Sequence, residues 1–269
     1  MHTQLLALAA VACYFTGGAL IGLRLLRPDQ PYAPPRALAL LPGYAALLLH
    51  LFSLYQELVT PVGFNLGFFS VGALVGWTVV ALLMISALTK PVENLGILLM
   101  PMAGITVILA LRFPDLKLLG GASQPGLNAH ILLSLVAYSL LMLAAVQALL
   151  LAVQEQHLHN RHPGGFIRAL PPLQTMETLL FEMIGVGFFL LSLALISGFV
   201  YLEDMLAQHI VHKTILSLIS WLVFATLLWG RFQFGWRGRT AIRWALSGFV
   251  LLALAYFGSK FVLEFVLRV

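Results

Sequence analysis

The chain has 269 residues, of which 61% are hydrophobic and only 9% charged, and its mean hydropathy is +0.97. A soluble protein of this length carries roughly a quarter of its residues as charged groups, so this composition excludes an ordinary water-soluble globule and makes lipid the main solvent. The net charge of +5 does not indicate nucleic acid: no Lys/Arg cluster is interleaved with aromatics, and basic residues gather in the cytoplasmic loops of membrane proteins. The single cysteine, Cys13, rules out an intrachain disulfide and a CxxC thiol-exchange pair.

Barrel strands would appear as short alternating runs. Here the apolar runs are long and continuous, and a spanning helix needs about 20 such residues. Eight runs qualify: 4–23, 37–58, 67–88, 95–111, 130–153, 179–202, 214–229 and 242–265. The expected fold is therefore all-α, a polytopic membrane helical bundle of about eight transmembrane helices forming one integral membrane domain over 1–269. The first run lacks a basic n-region and a small-residue cleavage site, which reads as a retained span rather than a signal peptide.

Between the spans, one side receives Arg24, Arg27, Arg36, Lys90, Arg161, Arg168, Arg231, Arg237, Arg239 and Arg243. The other receives Arg112, Lys117, Lys213, Lys260 and Arg268. Ten basic residues against five place the first set in the cytoplasm and both termini on the external side. Two connections exceed a tight turn. The external one, 114–129, is rich in Gly, Pro and Ser, and the cytoplasmic one, 154–178, holds His157, His159, His162 and the pair Pro171-Pro172. Neither is long enough for a separate domain, and no fixed-period repeat is present.

The eight histidines are the best guide to chemistry. His130 and His212 stand at external ends of the fifth and seventh spans, His50 lies inside the second, and His2 and His209 are external or close to the interface. Neutral imidazole is a common haem-iron ligand, and two on neighbouring helices can take one iron from opposite faces. A histidine at a helix end can equally be solvated or capping, whereas one inside a span is costly without a role. His157, His159 and His162 have no cysteine partner and only Glu155 as a nearby carboxylate, which reads as a flexible polar loop. Trp221 lies deep in the seventh span and Tyr138 two turns below His130, where flat rings suit a porphyrin; Trp229, Trp236 and Trp244 mark the interface. Gly185, Gly187, Gly198, Gly248 and Gly258 permit close helix approach, and Glu177 and Glu182 can snorkel to the headgroups. No P-loop, GxSxG, HExxH or dinucleotide fingerprint occurs, so an enzyme with covalent chemistry of its own is not expected.

Several stretches together resemble the CcsA/CcmC-type cytochrome c assembly membrane proteins, and most nearly their shorter HemX/YpjD-like branch. They are HILLSLVAY at 130–138, IGVGFFLLSLALISG at 184–198, KTILSLISWLVFATLLWGR at 213–231, GWRG at 235–238, Gly248-Phe249 and Tyr256-Phe257-Gly258, with His50 and Leu54-Tyr55 in the first half. The resemblance implies an assembly-like core over 129–260. It also implies haem as the cofactor, with His50, His130, His212, Tyr138 and Trp221 as its binding residues and His130 and His212 as the iron ligands. The family's external tryptophan-rich motif falls between 198 and 213, where this chain reads FVYLEDMLAQHIVH and has no tryptophan. A family histidine of the seventh span is replaced near Trp229, and the closing segment GSKFVLEFVLRV has no counterpart of the family's last external histidine. Of four ligand positions His50 and His130 remain, with His212 as a local substitute.

Two functions are then expected. One is an accessory protein of cytochrome c biogenesis in the bacterial inner membrane, holding haem near the external face between the second, fifth and seventh spans and working with other membrane assembly proteins. The other is a non-haem scaffold or regulatory subunit that keeps the fold and acts through protein partners. A small-solute transporter lacks paired intramembrane charges.

Overall fold

The computed structural model describes residues 2–26, 33–60, 63–115, 117–119, 125–160, 165–201 and 211–258. Its described residues form eight helices: α1 His2–Leu26, α2 Arg36–Leu58, α3 Phe68–Ser86, α4 Gly96–Arg112, α5 Pro125–His159, α6 Leu173–Tyr201, α7 Val211–Phe234 and α8 Gly238–Ala253. A π-helical turn, Leu254–Gly258, extends α8. All eight are long and apolar enough to cross a membrane. Each matches one expected span, although α5 and α6 run further into the connection between them than hydropathy alone indicates. His157 and His159 thus belong to the last turns of α5 rather than to a loop, and His162 and His209 lie outside the described residues.

The contacts divide the chain into two compact units, residues 1–121 with 162–171 and residues 122–161 with 172–269. Apart from 162–171, the expected core 129–260 falls in the second.

In the first unit α1 packs along α2 and α4, and α3 packs along the same two, giving a four-helix bundle. Small residues let the axes close. A Cβ at Gly43 would lie 2.6 Å from Met100 Cε, and one at Gly17 would lie 2.9 Å from Met100 Sδ. The core holds fully buried Tyr14, Met84 and Met100. At one end Arg36 pairs with both carboxylate oxygens of Glu93 (2.9 and 3.2 Å) and donates to the Ala87 carbonyl, tying the start of α2 to the α3–α4 connection.

At the other end is a feature that the apolar pattern does not reveal. Strands β1 Val59–Thr60, β2 Gly63–Asn65 and β3 Leu118–Leu119 form a small antiparallel sheet in that order. Buried Asn65 is its hub, accepting from the Gly67 and Lys117 amides and donating to the Asp115 carbonyl oxygen. Asp115 in turn caps α3, taking the Phe69 amide at 2.9 Å, with the Ser70 hydroxyl oxygen 3.2 Å from its other carboxylate oxygen.

In the second unit α5, 35 residues and therefore ~52 Å long, packs against α6 and α8, and α7 packs against the same two. Leu141, Leu151, Met176, Leu180, Ile184, Phe224 and Leu227 fill the centre. The expected small-residue contacts occur at Gly187, where a Cβ would meet Leu141 at 2.8 Å, and at Gly248, where it would meet Phe224 at 2.9 Å. Gly185 has open space beside it and plays no such part. Gly235 (φ 65°) and Gly238 (φ 51°) take the left-handed backbone of the tight α7–α8 turn. Glu177 departs from the snorkelling expected of it: it is buried, and its Oε1 accepts the Gly238 amide at 2.8 Å, capping α8.

Candidate functional site

His130 enters one turn after α5 begins and turns its ring toward α6. Its Nδ1 lies 3.0 Å from the Ala194 carbonyl oxygen and 3.2 Å from Ser197 Oγ. A carbonyl oxygen only accepts, so Nδ1 carries the ring proton and donates it there. In a neutral imidazole the other nitrogen then keeps its lone pair. Ligating histidines are oriented in this way, with one nitrogen bound to a carbonyl and the other turned to the metal. Ser197 also donates to the Ala194 carbonyl at 2.9 Å, so the acceptor is itself held in place. The residues present therefore fit an imidazole-ligated iron at His130.

The other expected residues of this unit stand around different helices. Tyr138 faces α8 and its extension, with ring centroids 5.5 Å from Phe249, 6.1 Å from Tyr256 and 5.7 Å from Phe257. Trp221 faces α6, stacked on Phe188 at 5.4 Å and donating its indole N–H to Ser192 Oγ at 2.8 Å. His212 is exposed in the first turn of α7. The ammonium of the next residue, Lys213, lies 5.7 Å from the Tyr256 ring centre, which ties that turn to the aromatic cluster around Tyr138. Among the described residues no group of three or more His, Cys, Asp or Glu side chains is placed to hold a metal ion. A haem ligand set of one or two imidazoles does not require such a group.

His50 belongs to the first unit. It is 1% exposed, and its Nδ1 lies 3.0 Å from the hydroxyl of fully buried Tyr14 on α1. The rings meet edge-on at 87°. Beside it, Trp77 of α3 donates its indole N–H to the Leu47 carbonyl at 2.9 Å, and Ser53 donates to the carbonyl of His50 itself. Unlike a carbonyl, a tyrosine hydroxyl can donate or accept. If Tyr14 donates, the His50 proton moves to Nε2; if it accepts, Nε2 is left able to ligate.

Sequence reasoning missed Tyr14, and the only signal for it was a tyrosine inside an apolar run. It also missed the Asn65, Ser70 and Asp115 network, to which Ser70 adds a hydrogen bond to Glu57 at 2.7 Å. The signals for that network were the Asn65-x-Gly67 spacing, which suits a side-chain-stabilised turn, and an acid directly after Pro114.

The family model for the Cytochrome C assembly protein matches residues 38–267, which takes in His50 as well as the second-half segments. The Inner membrane protein YpjD of Escherichia coli (strain K12) is 33% identical over 266 residues, covering 97% of this chain and 98% of the relative. The Cytochrome c biogenesis protein CcsA of Microcystis aeruginosa is 24% identical over 234 residues, covering 68% of this chain and 71% of the relative. A second CcsA, from Trichormus variabilis, is 36% identical over 87 residues, or 32% of this chain and 25% of the relative. No solved structure gives a significant match.

Proposed function

The chain belongs to the cytochrome c assembly protein family and is a multi-pass inner-membrane protein, and from that premise we propose that it is an accessory of cytochrome c biogenesis that holds haem through histidine. The observation that carries this reading is the His130 ring, whose Nδ1–H is taken by the Ala194 carbonyl so that Nε2 is left with the lone pair an iron needs. Haem, when bound, would supply an iron that neutral imidazole can ligate. His130 acts as the external ligand and His212 as the opposing or alternative one. His50 is a deeper ligand or relay, in the state in which Tyr14 accepts from its Nδ1. Tyr138 and Trp221 offer ring edges to the macrocycle; since both already have ring partners, their larger part is to fix α8 and α7 against α5 and α6. An orientation with both termini on the external side is supported by the ten-to-five division of basic residues. The protein performs no covalent chemistry of its own and passes haem to, or presents it before, other membrane assembly proteins.

A second reading is a scaffold that has lost haem. It is favoured by the tryptophan-free stretch 199–212 and by the exposure of His212. An absorption spectrum of the detergent-purified protein, beside His130→Ala and His212→Ala, separates the two. A Soret band that shifts or vanishes with His130→Ala supports haem binding. A spectrum that stays blank after haem is supplied refutes it and leaves the scaffold.

A further inference from the structure

Beyond any role of the histidines, we propose that the α7–α8 corner of the second unit binds the phosphate headgroup of an anionic phospholipid through Arg239 and Arg243. The stretch 229–243, WGRFQFGWRGRTAIR, contains four arginines and no acid. Arg231 is occupied internally, with its guanidinium 4.6 Å from the Phe181 ring centre and a hydrogen bond to the Trp236 carbonyl at 3.2 Å. Arg243 is not, and Arg239 is only loosely paired. They stand four residues apart on one exposed face of α8. Arg239 is 63% exposed, and its Nε is 3.7 Å from Glu155 Oε1, too far for a hydrogen bond. Among the described residues Arg243 has no ion-pair partner.

Depth makes this pair unusual. Arg243 is five residues past the start of α8, or ~7.5 Å along the axis, on the outside of a helix that continues into apolar residues. An exposed guanidinium there must either reach back to the headgroups or draw a phosphate down to itself. Arginine suits the second course, because its fork of donors pairs bidentately with phosphate oxygens.

The corner is also packed by aromatic rings and rimmed for acyl chains. Trp236 lies between Phe234, on which it stacks (6.5 Å, 27°), and Trp244, to which it is tilted (5.5 Å, 33°), and its amide donates to the Gly230 carbonyl. Trp229, Phe232 and Phe234 point outward, 65%, 89% and 68% exposed, as rings do at the level between headgroup and tail. The Gly238 amide at the start of α8 is already taken by Glu177, so the guanidinium pair and not the helix terminus supplies the anion site. Glu155 and Glu177 both approach the corner. One is spent on that cap and the other is loosely paired, which leaves the exposed face positive.

The test uses the corner's own reporters, since Trp229, Trp236 and Trp244 are three of the five tryptophans in the chain. The full-length protein is reconstituted in phosphatidylcholine vesicles that contain, at equal mole fraction, brominated-acyl phosphatidylglycerol or brominated-acyl phosphatidylcholine. Tryptophan quenching by the phosphatidylglycerol should be the stronger. The preference should fall by about fivefold for each arginine removed in Arg239→Gln and in Arg243→Gln, and vanish in the double variant. The double variant Arg239→Lys/Arg243→Lys keeps the charge and should retain part of it. Equal quenching by the two lipids in the wild type overturns the site, as does a preference that persists in the double glutamine variant. Circular dichroism of each variant confirms that the helices are intact. Neither reading of the histidines enters this result.

Discussion

Tyr14 and His50 meet in the buried interior of the first unit, hydroxyl oxygen to Nδ1 at 3.0 Å. Two polar groups placed this deep among apolar helices are stable only as a pair. Tyr14→Phe leaves a buried imidazole nitrogen without its bond, at a cost of ~1–3 kcal/mol. Adding His50→Leu removes the stranded group, so the double variant should lose less than the sum of the two single losses. Chemical denaturation in detergent measures the cycle, and strictly additive losses would show that the contact does not couple the two residues.

His130 differs because its partner leaves no choice of proton. The Ala194 carbonyl fixes hydrogen on Nδ1, so nitrogen-15 spectra of histidine-labelled protein should show a neutral ring protonated at Nδ1, assigned by its absence in His130→Gln. Ser197→Ala should leave that signal in place, because the 3.0 Å bond to the backbone survives the loss of the hydroxyl. A ring protonated at Nε2 would contradict the geometry on which haem ligation rests.

All eight helices were legible because lipid imposes a simple rule, that about 20 apolar residues make a span. The rule is blind to polar continuations. The helix through Glu155 and His159 and the six residues of α6 before Leu179 are held by backbone hydrogen bonds that hydropathy does not register. Pro171-Pro172 was the available signal for the second: the Met176 amide bonds the Pro172 carbonyl in the first turn of α6. The sheet around Asn65 was hidden because two- and three-residue strands carry no periodicity. For the site, residue type pointed to the histidines, but only tertiary structure shows that Tyr138 faces α8, Trp221 faces α6 and His50 faces Tyr14.

Asp115 holds the start of α3 through the Phe69 amide, and a Cβ on Gly67 would run into its carboxylate. Asp115→Ala should cost ~1–2 kcal/mol, the usual loss of a capping side chain. Asp115→Asn keeps one acceptor oxygen and should cost less. Gly67→Ala should resemble Asp115→Ala, because the carboxylate must move away to admit the methyl group. Thermal unfolding of the three variants orders them, and an Asn variant no better than Ala would argue against capping as the cause.

Glu177 makes the equivalent connection in the second unit, and there the size of the effect distinguishes a buried cap from a solvated acid. Its Oε1 takes the Gly238 amide at 2.8 Å, at a turn whose φ of 51° already favours glycine. Glu177→Ala strands that amide at the start of α8 and should cost ~1–3 kcal/mol, while Glu177→Gln keeps an acceptor at the same place and should cost under ~1 kcal/mol. Gly238→Ala should add strain of ~1–2 kcal/mol from the left-handed backbone alone, and it also brings a methyl group within 3.3 Å of Glu155 Oε1. Because the α7–α8 turn depends on both residues, Glu177→Ala combined with Gly238→Ala should lose less than the two separate costs. An alanine at 177 with no measurable loss would return the residue to the membrane interface.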